Sequence, residues 1–280
     1  PEYLDQQSVS NVYSHVDGFQ TLGKEEVPAG VVWGVKYGTY VINSPVYCAH
    51  LLRKFVLKGG ETRQYTLANL KEAFSMAGNV KTVVNCSGSG FEDPKSFIIR
   101  GMCAYDRSDG DDGDDDGCVW DALERIRSEC MGLTCSLGQT CLVRNPVSKT
   151  ITRQNTDGSW SFCIPRPLEG GTIIGGTKEP NNWDPNPSLE TRQRLLANAT
   201  KWFPFTPESD GQFDVIRDIV GRRPAREGGL RIEAEKLADD LYIVHGYGAG
   251  GRGFELSRGV AEDIVAVMLE KRLLQAKASL

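Results

Sequence analysis

Apolar positions in this chain fall in short blocks punctuated by glycine and proline, and each block has its own period. Val31 to Ile42 is β-branched and broken by Gly34 and Gly38, which predicts strands separated by a turn. A helix is expected next, with Ser44 placed to cap it and Pro45 in its first turn. Val46, Ala49, Leu52 and Leu57 supply its apolar face, and Gly59-Gly60 its stop. Thr62 to Leu67 predicts a strand and Leu67 to Phe74 a short helix. Thr82-Val83-Val84-Asn85-Cys86 predicts a buried strand ending in the turn Ser87-Gly88-Ser89-Gly90.

In the second half, Thr140 to Val143, Ser161 to Ile164 and Thr172 to Ile174 read as short strands between Gly, Pro and Asn clusters, the mark of an antiparallel or mixed sheet. Ser188 to Trp202 carries apolar residues at helical spacing. Phe213 to Val220, Leu230 to Ala234 and Leu241 to Val244 predict further strands. Val260, Ile264, Val267 and Met268 mark one face of a final helix. The expected fold class is α/β, mixed α and β without a clean βα repeat and without internal repeats.

Composition changes this picture little. The chain has 280 residues, 40% of them hydrophobic and 25% charged, enough for a sizeable core in one large domain or two. Its net charge of −5 and the lack of a basic stripe with interleaved aromatics argue against nucleic acid. No run reaches membrane-spanning length and no basic-then-apolar leader opens the chain, so neither membrane insertion nor secretion is expected. Of the eight cysteines, Cys48, Cys86, Cys141 and Cys163 lie in apolar contexts that predict buried free thiols, and no CxxC pair or metal spacing occurs. His15, His50 and His245 do not cluster, so each is read as structural.

Charge is concentrated in one place. Residues 102–138 hold ten of the 37 acidic side chains and three of the 32 basic ones, including the low-complexity run Asp109 to Gly117. Asp112, Asp114, Asp116 and Gly117 mimic the opening of a calcium loop. The closing Glu124 falls one residue late and flanking helices are not evident, so no metal is expected.

The chemistry concentrates near the C-terminus, in Val244-His245-Gly246-Tyr247-Gly248-Ala249-Gly250-Gly251-Arg252-Gly253. Five glycines here remove the β-carbons that would keep a ligand at a distance. Gly248, Gly250 and Gly253 satisfy G-x-G-x-x-G after a strand and before a helix, but fewer than thirty residues follow, too few for a dinucleotide-binding βαβ unit with its acidic ribose partner. The loop must serve another close approach. Together with Phe162-Cys163-Ile164-Pro165-Arg166-Pro167, Gly175-Gly176-Thr177 and Gly221-Arg222-Arg223-Pro224, it resembles the C-terminal half of the D-amino-acid oxidase family of flavoproteins.

The resemblance implies FAD as cofactor and oxidative deamination of D-amino acids, with molecular oxygen, to 2-oxo acids, ammonia and hydrogen peroxide. It implies that Arg223 binds the substrate carboxylate with paired donors, and that the Gly251 carbonyl holds the amine. Gly250, Gly251, Arg252, Gly253, Phe254 and Glu255 would line the flavin, and the turn Asn85-Cys86-Ser87-Gly88 would follow the flavin's phosphate region. A surface arginine in a basic cluster with Arg222 and Arg226 is the plainer reading of Arg223, and the flanking motif weighs against it. Phe162 stands where relatives carry a tyrosine whose hydroxyl also reaches the carboxylate, and losing that bond would cost about 1–3 kcal/mol; the family's second lid tyrosine has no counterpart, though Trp160 lies nearby. Lys178 occupies a spot where relatives acting on acidic substrates carry a basic residue, so D-aspartate oxidase is the alternative activity. A homodimer is an option. The C-terminal Ala278-Ser279-Leu280 resembles a peroxisomal address at its ends, which leaves peroxisome or cytoplasm.

Mapped onto the family, 1–101 interleaves parts of the substrate and FAD domains and 139–235 is mainly substrate-binding. Residues 236–280 form the C-terminal FAD segment of a Rossmann-like domain. The strand, Gly-x-Gly-x-x-Gly turn and helix that hold the cofactor's ADP half in the family are not in these residues, so an inactive fragment or non-catalytic paralogue is the reading from another class. Residues 102–138 interrupt the match, because the family pattern joins Arg100-Gly101 directly to Gln139-Thr140. The codons of Gly101-Met102-Cys103, Leu133-Thr134 and Leu137-Gly138 permit intron donor, branch and acceptor signals, so a retained intron stands beside a genuine acidic insertion.

Overall fold

The computed structural model describes residues 5–88, 90, 91, 93–100, 138–177, 179, 180, 184, 186–203, 212–221 and 223–274. In chain order the elements are α1 (Gln6–Tyr13), β1 (Gln20–Leu22), β2 (Gly34–Lys36), α2 (Ser44–Leu57), a 3-10 turn (Leu70–Ser75), β3 (Thr82–Asn85) and β4 (Ser96–Arg100). Then come β5 (Gln139–Val143), β6 (Ile151–Gln154), β7 (Trp160–Pro165), β8 (Thr172–Gly175), β9 (Glu179–Pro180) and α3 (Leu189–Trp202). The chain closes with β10 (Val215–Val220), β11 (Arg223–Arg226), β12 (Arg231–Ala238), β13 (Leu241–Tyr247), a 3-10 turn (Gly250–Arg252) and α4 (Gly253–Glu270). The fold is mixed α and β, divided into two compact units: Pro1–Val41 with Gly101–Glu179 and Asp184–Gly221, and Ile42–Arg100 with Pro180–Trp183 and Arg222–Leu280.

The first unit is built on a five-stranded antiparallel sheet in the order β10-β5-β8-β7-β6. Alternate side chains of a strand face opposite ways, and β5 uses both faces. Cys141 and Val143 join Cys163 and Ile174 under Leu195, Ala199 and Phe203 of the α3 region, while Leu142 packs with Phe162 and Ile173 on the other side. Ser188 caps α3 by accepting the Thr191 N–H. Arg192 on that helix forms an ion pair with the buried Asp218, which also accepts a hydrogen bond from Cys141. Burial first and the Asp218 carboxylate second push the Cys141 thiol up to about 12, so this cysteine is inert.

In the second unit β13 lies between β12, antiparallel, and β3, parallel. Helix α4 covers β12 and β13. Gly246 lets it do so closely, since a β-carbon there would meet Ile264 Cδ1 at 2.3 Å. β11 pairs antiparallel with β4, Arg223 opposite Ile99.

Several expectations are corrected. Only Gly34–Lys36 of the Val31–Ile42 run forms a strand, and Gly34 sits inside it rather than breaking it. Asn43, not Ser44, is the N-cap of α2. The expected apolar face of α2 is exposed at Val46, Leu52 and Leu57, as are Leu51, Phe55 and Val56. Thr62–Leu67 is no strand, because its residues are exposed along most of their length and pair with no neighbour. Val84 is 42% exposed, leaving Asn85 as the buried residue of β3. Cys141 and Cys163 are buried as expected, whereas Cys48 and Cys86 are exposed. Asp109 to Gly117, the calcium-like Asp112 to Glu124 and the intron reading of 102–138 lie outside the described residues.

Candidate functional site

Three segments of the second unit converge: the start of β11, the turn after β3 and the glycine-rich loop after β13. Arg223 opens β11 and is 6% exposed, which removes the surface-arginine reading. Two residues on, Ala225 bridges to Ala249 in the loop. Gly248 donates its N–H to the Gly88 carbonyl at 2.8 Å, tying the loop to the turn. A β-carbon on Gly88 would lie 3.0 Å from Pro224 Cγ, tying the turn to the residue after Arg223. The structure therefore brings together Arg223, Asn85 to Gly88 and the loop that leads to Gly250.

Polar side chains fix the turn. Asn85 Oδ1 accepts the Ser87 N–H at 3.2 Å, which leaves its amide nitrogen facing His245 Nδ1 at 3.3 Å. That nitrogen is a donor, so His245 accepts on Nδ1 and carries its proton on Nε2, 3.1 Å from Glu235. Burial holds the His245 pKa below its ordinary 6.5, with the Glu235 hydrogen bond opposing. His245 is thus a neutral structural group, as its isolation in the sequence suggested. Cys86 and Ser87 are exposed in the turn, with the Cys86 sulfur near Gly246 of β13.

The loop itself is open. Gly248 and Gly250 have φ of +88° and +58°, conformations that favour glycine, and a β-carbon at Gly250 would meet nothing within 4 Å. Gly251 is exposed in the 3-10 turn and precedes Arg252, the N-cap of α4. A helix ladder draws on the N-cap carbonyl and those after it, so the Gly251 carbonyl lies outside it. No side chain caps α4, an 18-residue helix, and its N-terminal N–H groups carry partial positive charge. Arg252 pairs with Glu255 at 3.6 Å, and Phe254 is exposed beside them. A glycine-rich chain, open at Gly250, beside an uncapped helix start fits a flat, acceptor-rich ring such as a flavin. Among the described residues no group of His, Cys, Asp and Glu is placed to hold a metal, and no helix is long and apolar enough to cross a membrane.

Phe162 and Trp160 belong to the first unit. Phe162 is fully buried, and its Cζ is what a β-carbon on the paired Gly175 would meet at 2.2 Å, so the ring is a core element of the β7–β8 ladder. Trp160 is half-buried, and its carbonyl accepts the Gly176 N–H at 3.1 Å. Lys178 lies outside the described residues. Asp93, Arg226, Arg231 and Tyr247, which no local pattern beyond Arg226's basic cluster links, form a part-buried ionic chain anchored on the strand that Arg223 opens.

Residues 127–267 match the family described as FAD dependent oxidoreductase. The chain is 43% identical over 256 residues to "D-aspartate oxidase" of Talaromyces thermophilus, covering 90% of this chain and 59% of that protein. It is 27% identical over 267 residues to "D-amino-acid oxidase" of Schizosaccharomyces pombe, covering 92% of this chain and 66% of that one. The chain thus spans about two thirds or less of the curated relatives it matches. Among solved structures, glycine oxidase from Geobacillus kaustophilus aligns with 47% of this chain and 34% of its own, at a TM-score of 0.37 and 22% identity.

Proposed function

Because the chain belongs to the FAD-dependent oxidoreductase family that includes the D-amino-acid oxidases, we propose that it is the substrate- and flavin-contacting part of an oxidase of D-amino acids. The buried Arg223 beside an open glycine loop carries this reading. A guanidinium in low-dielectric surroundings binds a carboxylate through paired, charge-assisted donors. The Gly251 carbonyl accepts from the substrate amine, which orients the Cα–H bond. FAD, the family's cofactor, supplies the hydride acceptor when bound; Gly250, Gly251, Arg252, Gly253, Phe254 and Glu255 would hold it, with Asn85 to Gly88 beside them. The overall conversion would take a D-amino acid, oxygen and water to a 2-oxo acid, ammonia and hydrogen peroxide. The chain's own share is binding, orientation and charge placement.

The identity of 43% to a protein named D-aspartate oxidase favours an acidic D-amino acid as the substrate. Lys178 is the candidate for the second carboxylate, and Trp160 a further candidate for substrate specificity. Peroxide release by the full-length protein with D-aspartate and with D-alanine tests both readings. Arg223→Ala should raise KM on the order of a hundredfold, the worth of two charge-assisted hydrogen bonds at about 1.5 kcal/mol each. Unchanged KM would remove Arg223 from its role, and stoichiometric FAD with no turnover of any D-amino acid would favour a non-catalytic paralogue.

A further inference from the structure

Asp93 is a carboxylate with a side chain 7% exposed, and both of its carboxylate oxygens accept hydrogen bonds. Its Oδ2 accepts from the Tyr247 hydroxyl at 2.6 Å and from Arg226 Nε at 2.8 Å. Its Oδ1 accepts the Lys95 N–H at 3.0 Å, and its carbonyl accepts the Ser96 N–H at 2.9 Å, starting β4. One residue therefore fastens the start of β4, the end of β11 and the end of β13. Arg226 ends the strand that Arg223 begins, and Tyr247 immediately precedes the loop that carries Gly250 and Gly251.

The fastening continues in both directions. Arg226 leans on the loop, since a β-carbon at Gly248 would lie 2.8 Å from Arg226 Cβ. Gly90 is packed so closely on the Tyr247 ring that a β-carbon there would lie 2.6 Å from it. The Tyr247 oxygen accepts from Arg231 Nη1 at 2.9 Å, and Arg231 reaches Glu235 at 3.3 Å, the partner of His245. The chain of contacts thus runs from Arg226 through Asp93, Tyr247, Arg231, Glu235 and His245 to Asn85 in the turn. Tyr247 first and Arg226 second hold the Asp93 pKa far below the usual carboxylate range, so the clamp is charged at neutral pH.

We infer that Asp93 is a positioning residue for substrate binding: by clamping Arg226 and Tyr247 it sets the place of the Arg223 guanidinium relative to the glycine loop. This rests on the reading of Arg223 as the carboxylate anchor. Asp93→Asn keeps the size and the Lys95 cap but turns a donor toward Arg226 and removes the charge. In the full-length, FAD-loaded protein it should raise KM for the D-amino acid about tenfold, the 1.4 kcal/mol of one charge-assisted bond, with kcat changed less than about threefold. In an Arg223→Lys background the same substitution should add little, because both changes act through one contact. A folded Asp93→Asn with unchanged KM overturns the inference, and so does a KM rise of equal size in the Arg223→Lys background.

Tyr247→Phe is the milder companion. It removes one leg of the clamp and no charge, and should raise KM about threefold, less than Asp93→Asn because Arg226 stays held; if Asp93→Asn does not fold, an unchanged KM in Tyr247→Phe overturns the inference. Hydrogen exchange at the amides of Arg223, Ala225, Arg226 and 248–252 gives a readout independent of turnover. Both variants should speed exchange there more than in β5 and β8 of the other unit. Slow exchange unchanged from wild type overturns the clamp, while loss of turnover in the wild type overturns only the oxidase reading.

Discussion

Gly248 and Gly88 are joined by one backbone hydrogen bond of 2.8 Å, which closes the glycine loop onto the turn after β3. Both glycines have positive φ and both lie against β11, Gly248 against Arg226 and Gly88 against Pro224. Gly248→Ala should therefore destabilise the second unit by roughly 1–3 kcal/mol from backbone strain alone, and more if Arg226 cannot withdraw from the new β-carbon. Gly250→Ala, with φ of +58° but open space around it, should show the strain without the collision. Urea midpoints of the two variants compare the two effects; equal losses would mean that the Arg226 contact yields freely.

Phe162 gives a second test. If its place in the fold matched the role of a tyrosine near the substrate, Phe162→Tyr would add a useful hydroxyl and lower KM. Here the ring's Cζ points at Gly175 in a closed core. The substitution should cost about 1–3 kcal/mol, because the buried hydroxyl finds no partner, and should leave KM no lower. Thermal unfolding with substrate kinetics on the same preparation decides between them.

The pH dependence of stability should show two separate windows. His245 is held below its ordinary 6.5, so the unfolded chain takes up a proton that the folded one refuses. Its contribution is complete above that value and is lost as pH falls through it. The charged groups around the ring are Glu235, Arg231 and Glu233, and His245→Gln, whose amide can serve both Asn85 and Glu235, should flatten the curve as pH falls below 6.5. Asp93, held below its ordinary 3.8, loses its contribution only as pH falls past that point. Asp93→Asn should flatten that lower limb and leave the upper one unchanged. Urea midpoints across this range measure both.

The first unit was largely legible because its signals are local. Cys141-Leu142-Val143 and Ser161 to Ile164 carry the apolar runs of strands buried on both faces, and Ser188 stands where a helix must begin. That β11 and the glycine loop lie together was legible only through the family resemblance of Gly221 to Pro224 and of the loop, since no local pattern pairs Ala225 with Ala249. Asp93 was not: its partners Arg226 and Tyr247 are 133 and 154 residues away, and no local pattern announces a contact made only when two sheets meet. Thr62–Leu67 misled for the opposite reason, since alternation supports a strand only where a neighbour supplies the other half of the ladder.

β11 is only four residues long, and its two faces divide the labour. Arg223 and Ala225 turn one way; Pro224 and Arg226 turn the other, where Asp93 waits. Deleting or inserting a single residue upstream would invert the strand, exchanging the faces of both arginines at once. Across relatives, drift in the flanking sequence should therefore be tolerated more readily than any change in the number of residues between Gly221 and Arg226: what inheritance must preserve here is an interval.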